Sequence, residues 1–109
     1  MHARLTQFRI LPGKLEEFTR ALQSMGPAIR KQRGFRALLV LRAEGGATPV
    51  GQTIAVWDSL EDLRASEKNF FFYSALAKLM ACCEGFPVIA EQEVLVSQFA
   101  PEAMAKKDS

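Results

Sequence analysis

Apolar and polar positions alternate from Ala3 to Ile10, a period of two that predicts a strand. Leu11-Pro12-Gly13 breaks the run. Leu15, Phe18, Leu22, Met25 and Ile29 then recur at spacings of three and four, which marks one face of an amphipathic helix. On its wet face Glu16 precedes Arg20 by four residues, the favourable order for a surface ion pair. Gly26-Pro27 falls inside this pattern. Proline cannot donate an amide hydrogen bond, so a kink or break is expected near Met25. Gly34 closes the helix. Phe35 to Arg42 (FRALLVLR) reads as a second strand, and Glu44-Gly45-Gly46 through Pro49 as a turn-rich connection. Gln52 to Trp57 forms the third strand, so the two pair as a hairpin. Ser59 with Asp62 three residues on resembles a capping box for a helix from Leu60. Asn69 interrupts that helix and Phe70 to Cys83 resumes it. Gly85 and Pro87 stop it. Val88 to Phe99 is a last strand of 12 residues, long against a usual ~5–6.

The order β-α-β-β-α-β is the split-βαβ, ferredoxin-like arrangement, an α+β fold. Right-handed crossovers place strands one and three in the centre of an antiparallel sheet of order 4-1-3-2. Charge agrees, since Arg4 and Arg9 lie in strand one and Glu91 and Glu93 in strand four. Residues 1–100 form one domain, and 101–109, which lose the apolar pattern, form a frayed tail.

Two helices cover one face of such a sheet. Strand two is nevertheless apolar on both faces, with Ala37, Leu39 and Leu41 on one and Leu38 and Val40 on the other. Strands three and four are mixed as well. A sheet apolar on both sides with helices for only one predicts a homodimer. Leu38 or Val40 is expected to face the partner, and the overlong fourth strand to reach onto it.

Composition narrows the function classes. The chain has 109 residues and a net charge of +2, too weakly basic to mark a nucleic-acid binder. The strands lack the aromatic pairs of RNA-recognition sheets. Its basic residues are concentrated in 1–42, which carry nine basic and two acidic side chains, against five and ten in 43–109. Charge complementarity within the fold accounts for that split, and a basic patch for an anionic ligand is the other reading. The N-terminus has no apolar leader, and Phe70 to Cys83 is too short to span a membrane. Adjacent Cys82 and Cys83 read as reduced, structural thiols of a cytoplasmic protein. One histidine, His2, leaves no metal-ligand cluster. It lies at the terminus and is expected to be exposed. No phosphate loop, nucleophile elbow or catalytic triad is present. No cofactor is expected.

Pro12-Gly13-Lys14, Arg33-Gly34-Phe35 and Val56-Trp57-Asp58-Ser59 resemble the antibiotic-biosynthesis monooxygenase family over roughly residues 1–100. The resemblance implies a dimeric α+β barrel, two ferredoxin-like subunits with their sheets packed together. That family includes cofactor-free monooxygenases of polycyclic phenols, haem-degrading enzymes and members without known activity. Haem-degrading members carry Asn, Trp and His at places that fall near Thr6, Ser66 and Leu76, so that activity is not implied. The His-rich second helix of other members is absent too.

The family cleft lies between the sheet and the second helix. It implies a substrate-binding set of Trp57, Phe70, Phe72, Tyr73, Leu76 and Met80, with Phe71 adjoining. Successive helical residues turn by about 100°, so the run Phe70-Phe71-Phe72-Tyr73 cannot all point inward. Part of it lines a pocket for a flat apolar ligand, with Tyr73 as polar handle and candidate catalytic group, or it all serves core and dimer packing. Arg36 and Arg42 serve an interface or edge-strand role, or bind a carboxylate or phenolate. The expected function is cofactor-independent oxygenation of a small aromatic or phenolic substrate. The alternative is a non-catalytic dimeric barrel that binds a small hydrophobic ligand.

Overall fold

A computed structural model describes residues 1–43 and 49–100, without the side chains of Phe70 and Phe71. The elements are β1 (His2–Arg9), α1 (Leu15–Arg30), β2 (Phe35–Arg42), β3 (Val50–Trp57), α2 (Leu60–Ser66), α3 (Phe70–Ala81) and β4 (Val88–Glu93). They build an α+β, ferredoxin-like fold with one four-stranded sheet in the order β2-β3-β1-β4. All three pairings are antiparallel. Arg4 lies opposite Glu91, as charge suggested, but Glu93 lies opposite His2 and Arg9 has no partner in β4. The connection expected through 44–48 and the tail expected at 101–109 lie outside the described residues.

Two elements depart from the pattern in the sequence. The helix α1 runs unbroken through Pro27. The bond lost there would have used the Gln23 carbonyl, and Gln23 and Pro27 are both exposed, so water can serve that group. The fourth strand is six residues long and not 12. Its pairing with β1 ends where Glu93 faces His2, and the Val94 amide donates to the Met1 carbonyl. The interruption expected at Asn69 is present, so the second helical stretch is two helices. Asn69 is extended at φ −85° and ψ 142°, and its Nδ2 donates to Gln32 Oε1 at 2.7 Å, which pins the break to the end of α1. The cap on α2 forms as its sequence suggests, with Ser59 Oγ accepting from the Asp62 amide at 3.1 Å.

Period two in the strands sorts the side chains onto two faces. Arg4, Thr6 and Phe8 of β1 share the helix-facing side with Thr53, Ala55 and Trp57 of β3. Leu38 of β2 stands opposite Ala55 and Val40 opposite Thr53, so both lie on the helix side and not toward a partner. The outward row of β2 is Ala37, Leu39 and Leu41. Leu39 is 55% exposed in the single chain.

The core consists of two apolar clusters. Phe8, Ile10, Phe18, Leu22, Leu79 and Cys82 pack at one end of the helix layer. Ile29, Ala55, Trp57 and Leu63 pack at the other. Both cysteines are free thiols. Burial first, and then the neighbouring Cys82, push the Cys83 thiol up to about 11, so it stays protonated at neutral pH. Among the described residues no helix is long and apolar enough to cross a membrane.

Candidate functional site

The two clusters do not close on one another, and a cavity of about 70 Å³ lies between them. Its floor is the centre of the sheet, where Thr6 faces Thr53 and Arg4 faces Ala55 in the β1–β3 ladder. Ile89 of β4 and Leu38 of β2 extend the floor on either side. Its roof comes from Leu22, Met25 and Ile29 of α1 and from Phe72, Leu76 and Leu79 of α3, with Ser66 at the end of α2. A cavity that binds benzene measures roughly 150 Å³. This one is smaller, so an aromatic ring enters only if a roof side chain moves.

Trp57, Phe72 and Leu76 come together in the wall. Tyr73 does not. It is 59% exposed and outside the cavity lining, because α3 carries Phe72 inward and the next residue is turned away by about 100°. Met80 is half-buried and also outside the lining, and Phe70 and Phe71 lie outside the described side chains. Arg36 is exposed and pairs with Asp58, and Arg42 is exposed at the strand end.

The polar groups that reach the cavity were hidden by the alternation of β1 and β3. Thr6, Thr53 and Ser66 are buried there, and Ser66 Oγ donates to the Leu63 carbonyl at 2.6 Å. Arg4 is the only charged side chain among the described lining residues, at 7% exposure. Its Nη2 donates to Glu67 Oε1 at 2.5 Å and to the Leu63 carbonyl at 3.1 Å. Its guanidinium carbon stands 5.1 Å from the centroid of the Phe72 ring, a cation–π contact. Arginine in a row of inward-pointing strand residues is the signal a sequence offers for such a site. Here Glu91 supplied a sufficient strand partner and masked it.

Trp57 is 1% exposed, and its indole Nε1–H has no hydrogen-bond partner among the described residues. Leaving such a donor unpaired costs about 1–3 kcal/mol. His2 stands opposite Trp57 in the ladder and is half-buried rather than exposed, with Nδ1 buried and likewise unpartnered. Pairing on both sides of β1, with Trp57 and Glu93, draws it in. Among the described residues, no three His, Cys, Asp or Glu side chains gather as metal ligands.

The short motifs near the site form one junction. The Asp58 amide donates to the Gly34 carbonyl at 2.7 Å, Arg33 Nε lies 3.6 Å from Asp62, and Phe35 packs edge-on against Trp57 at 5.4 Å. The turn after α1 thus clamps the turn after β3 and seats Trp57 in the wall. Thr6, Ser66 and Leu76 all line this cavity.

A family model described as antibiotic biosynthesis monooxygenase matches residues 1–73. A solved structure from Caulobacter crescentus, assigned as an antibiotic biosynthesis monooxygenase, superimposes with a TM-score of 0.77 at 17% identity. The match covers 87% of this chain and 90% of that one. SnoaB, a cofactor-independent oxygenase from Streptomyces nogalater, gives 0.68 at 18% identity over 92% and 96% of the two chains. A conserved protein from Methanosarcina mazei gives 0.71 at 16% identity over 84% and 90%. A comparison with curated proteins gives no match. At these identities the solved structures share the fold with this chain.

Proposed function

The chain belongs to the antibiotic biosynthesis monooxygenase family, and on that premise we propose that it oxygenates a small phenol in the cavity between sheet and helices without a cofactor. The observation that carries this reading is the pairing of a buried cation, Arg4, with the unpartnered indole N–H of Trp57 in one aromatic-walled cavity. Those groups suit a flat ring bearing an oxygen. SnoaB, of the same fold, is a cofactor-independent oxygenase. An ionised phenol can itself reduce dioxygen. The balance is one phenol plus one O2 giving one quinone and one water, with all four electrons taken from the ring. The protein holds the ring, favours its ionised oxygen and keeps water from the ring–peroxide intermediate. The ring enters by turning Phe72 aside.

The functional unit is a homodimer joined through the outward face of the sheet. Leu5, Leu39, Leu41, Ile54, Val56 and Val88 all point there, and the helices cover the opposite side. The exposed apolar residues Leu95, Val96 and Phe99, just past β4, add to the surface that a partner buries. Free thiols at Cys82 and Cys83 suit a cytoplasmic setting.

An oxygen electrode in chelator-treated buffer tests the chemistry with a panel of hydroquinones and naphthols. The expected result is protein-dependent uptake with one O2 consumed per quinone formed. Phenols that bind without any oxygen uptake would make the chain a binding module instead. The absence of a lining His, Tyr or carboxylate among the described residues is the feature that favours that second reading.

A further inference from the structure

We propose that the ligand's ionised oxygen binds Arg4 in exchange for the Glu67 carboxylate, so that the cavity takes its aromatic as an oxyanion, a phenolate or an enolate. The inference rests on the cavity being the phenol site.

Position 4 belongs to the inward row Arg4-Thr6-Phe8, where packing alone asks for an apolar side chain. A buried ion pair holds a fold no better than apolar residues of the same volume. An arginine retained there therefore points to a task other than packing.

The pair is also lopsided. The Arg4 side chain is 9% exposed and that of Glu67 37%. Displaced, the carboxylate has water to return to, whereas the guanidinium has none. Glu67 follows α2 in the link to α3, and Arg4 is its only side-chain partner among the described residues. An oxyanion that takes its place leaves the charge beside Arg4 unchanged, and a neutral phenol cannot make that exchange.

The guanidinium keeps donors in hand. Both of its hydrogen bonds to described residues leave from Nη2, so Nε and Nη1 remain for a ligand. Phe72, stacked on the guanidinium, also lines the cavity, so moving this one ring opens the way to both. Trp57 stands diagonal to Arg4 across the ladder, two residues beyond Ala55, and its Nε1–H is a second donor. The other charged and titratable groups around Arg4 are His2 on β1, Glu91 and Glu93 on β4, and Arg64 on α2. Arg64 Nε lies 3.7 Å from Glu91, which occupies that carboxylate. The inward row of β3 brings none.

Calorimetric titration with 4-nitrophenol and nitrobenzene tests the exchange in the wild type, Arg4→Met and Glu67→Gln, at a pH where nitrophenol is ionised. The wild type should prefer 4-nitrophenolate to nitrobenzene by about tenfold or more, the worth of a charge-assisted hydrogen bond. Arg4→Met should abolish the preference and leave nitrobenzene binding in place. Glu67→Gln should tighten nitrophenolate roughly threefold, because the competing carboxylate is gone, with nitrobenzene unchanged. Circular dichroism checks folding, and if Arg4→Met does not fold, Glu67→Gln decides alone. Equal wild-type affinity for the two probes, a preference that survives Arg4→Met, or weaker nitrophenolate binding by Glu67→Gln overturns the inference and leaves the cavity reading standing. Binding of neither probe overturns both.

Discussion

Replacing Leu39 by Asp should turn the proposed homodimer into folded monomers. Leu39 stands on the outward face of β2 beside Ile54 and is 55% exposed in the single chain. A carboxylate there meets water in the monomer, and surface changes of this kind cost the fold within about 0.5 kcal/mol. In the dimer the same charge is buried without a partner, at a cost of about 3–5 kcal/mol. The dissociation constant should rise by roughly 10²–10⁴. Sedimentation velocity checks it, and a dimer that persists at micromolar concentration contradicts the proposed interface. Leu38→Asp makes the opposite case. Leu38 lines the cavity on the helix side, so its substitution should lower the melting temperature of each chain.

Gly34→Ala should be the more damaging of two glycine substitutions that look alike in sequence. Gly13 and Gly34 both have positive φ, +79° and +78°. An L residue in that conformation costs about 1–2 kcal/mol. A Cβ on Gly13 meets nothing within 4 Å, whereas one on Gly34 overlaps the Asp62 carboxylate. Asp62 is held there, its amide capped by Ser59 Oγ and its carboxylate beside Arg33. Moving it disturbs the clamp that seats Trp57. Gly34→Ala should cost about 3 kcal/mol, or roughly 10–20 °C in Tm, and Gly13→Ala about 1 kcal/mol. Thermal melts compare the two, and equal losses would show that the Asp62 contact carries no weight.

The architecture was legible because it rests on local signals. Period two against three-and-four spacing separates strands from helices, and Gly34, Ser59 and Gly85 punctuate them. What misled was context that a local window lacks. Pro27 looks like a break until the Gln23 carbonyl it frees is placed on an exposed stretch of α1. Val88 to Phe99 looks like one strand until its pairing with β1 is seen to end at Glu93. The site was legible in part. Trp57, Phe72 and Leu76 line one cavity, but in an aromatic run the choice of inward residue depends on the phase of α3, which sequence leaves free. Arg4 was read through its strand neighbour Glu91, and its actual partner Glu67 lies 63 residues away in a helix link. No spacing rule reports such a pair.

The cavity as the binding site is tested most directly by titrating 1-naphthol while following the emission of Trp57, the only tryptophan in the chain. Ala55 lies in the cavity floor opposite Arg4, and Ala55→Leu fills that space while adding only apolar bulk, at a stability cost of about 1–3 kcal/mol. The wild type should show saturable quenching at one ligand per chain, and a folded Ala55→Leu should show none. Quenching of equal strength and affinity in Ala55→Leu would contradict the account, because the phenol would then bind elsewhere.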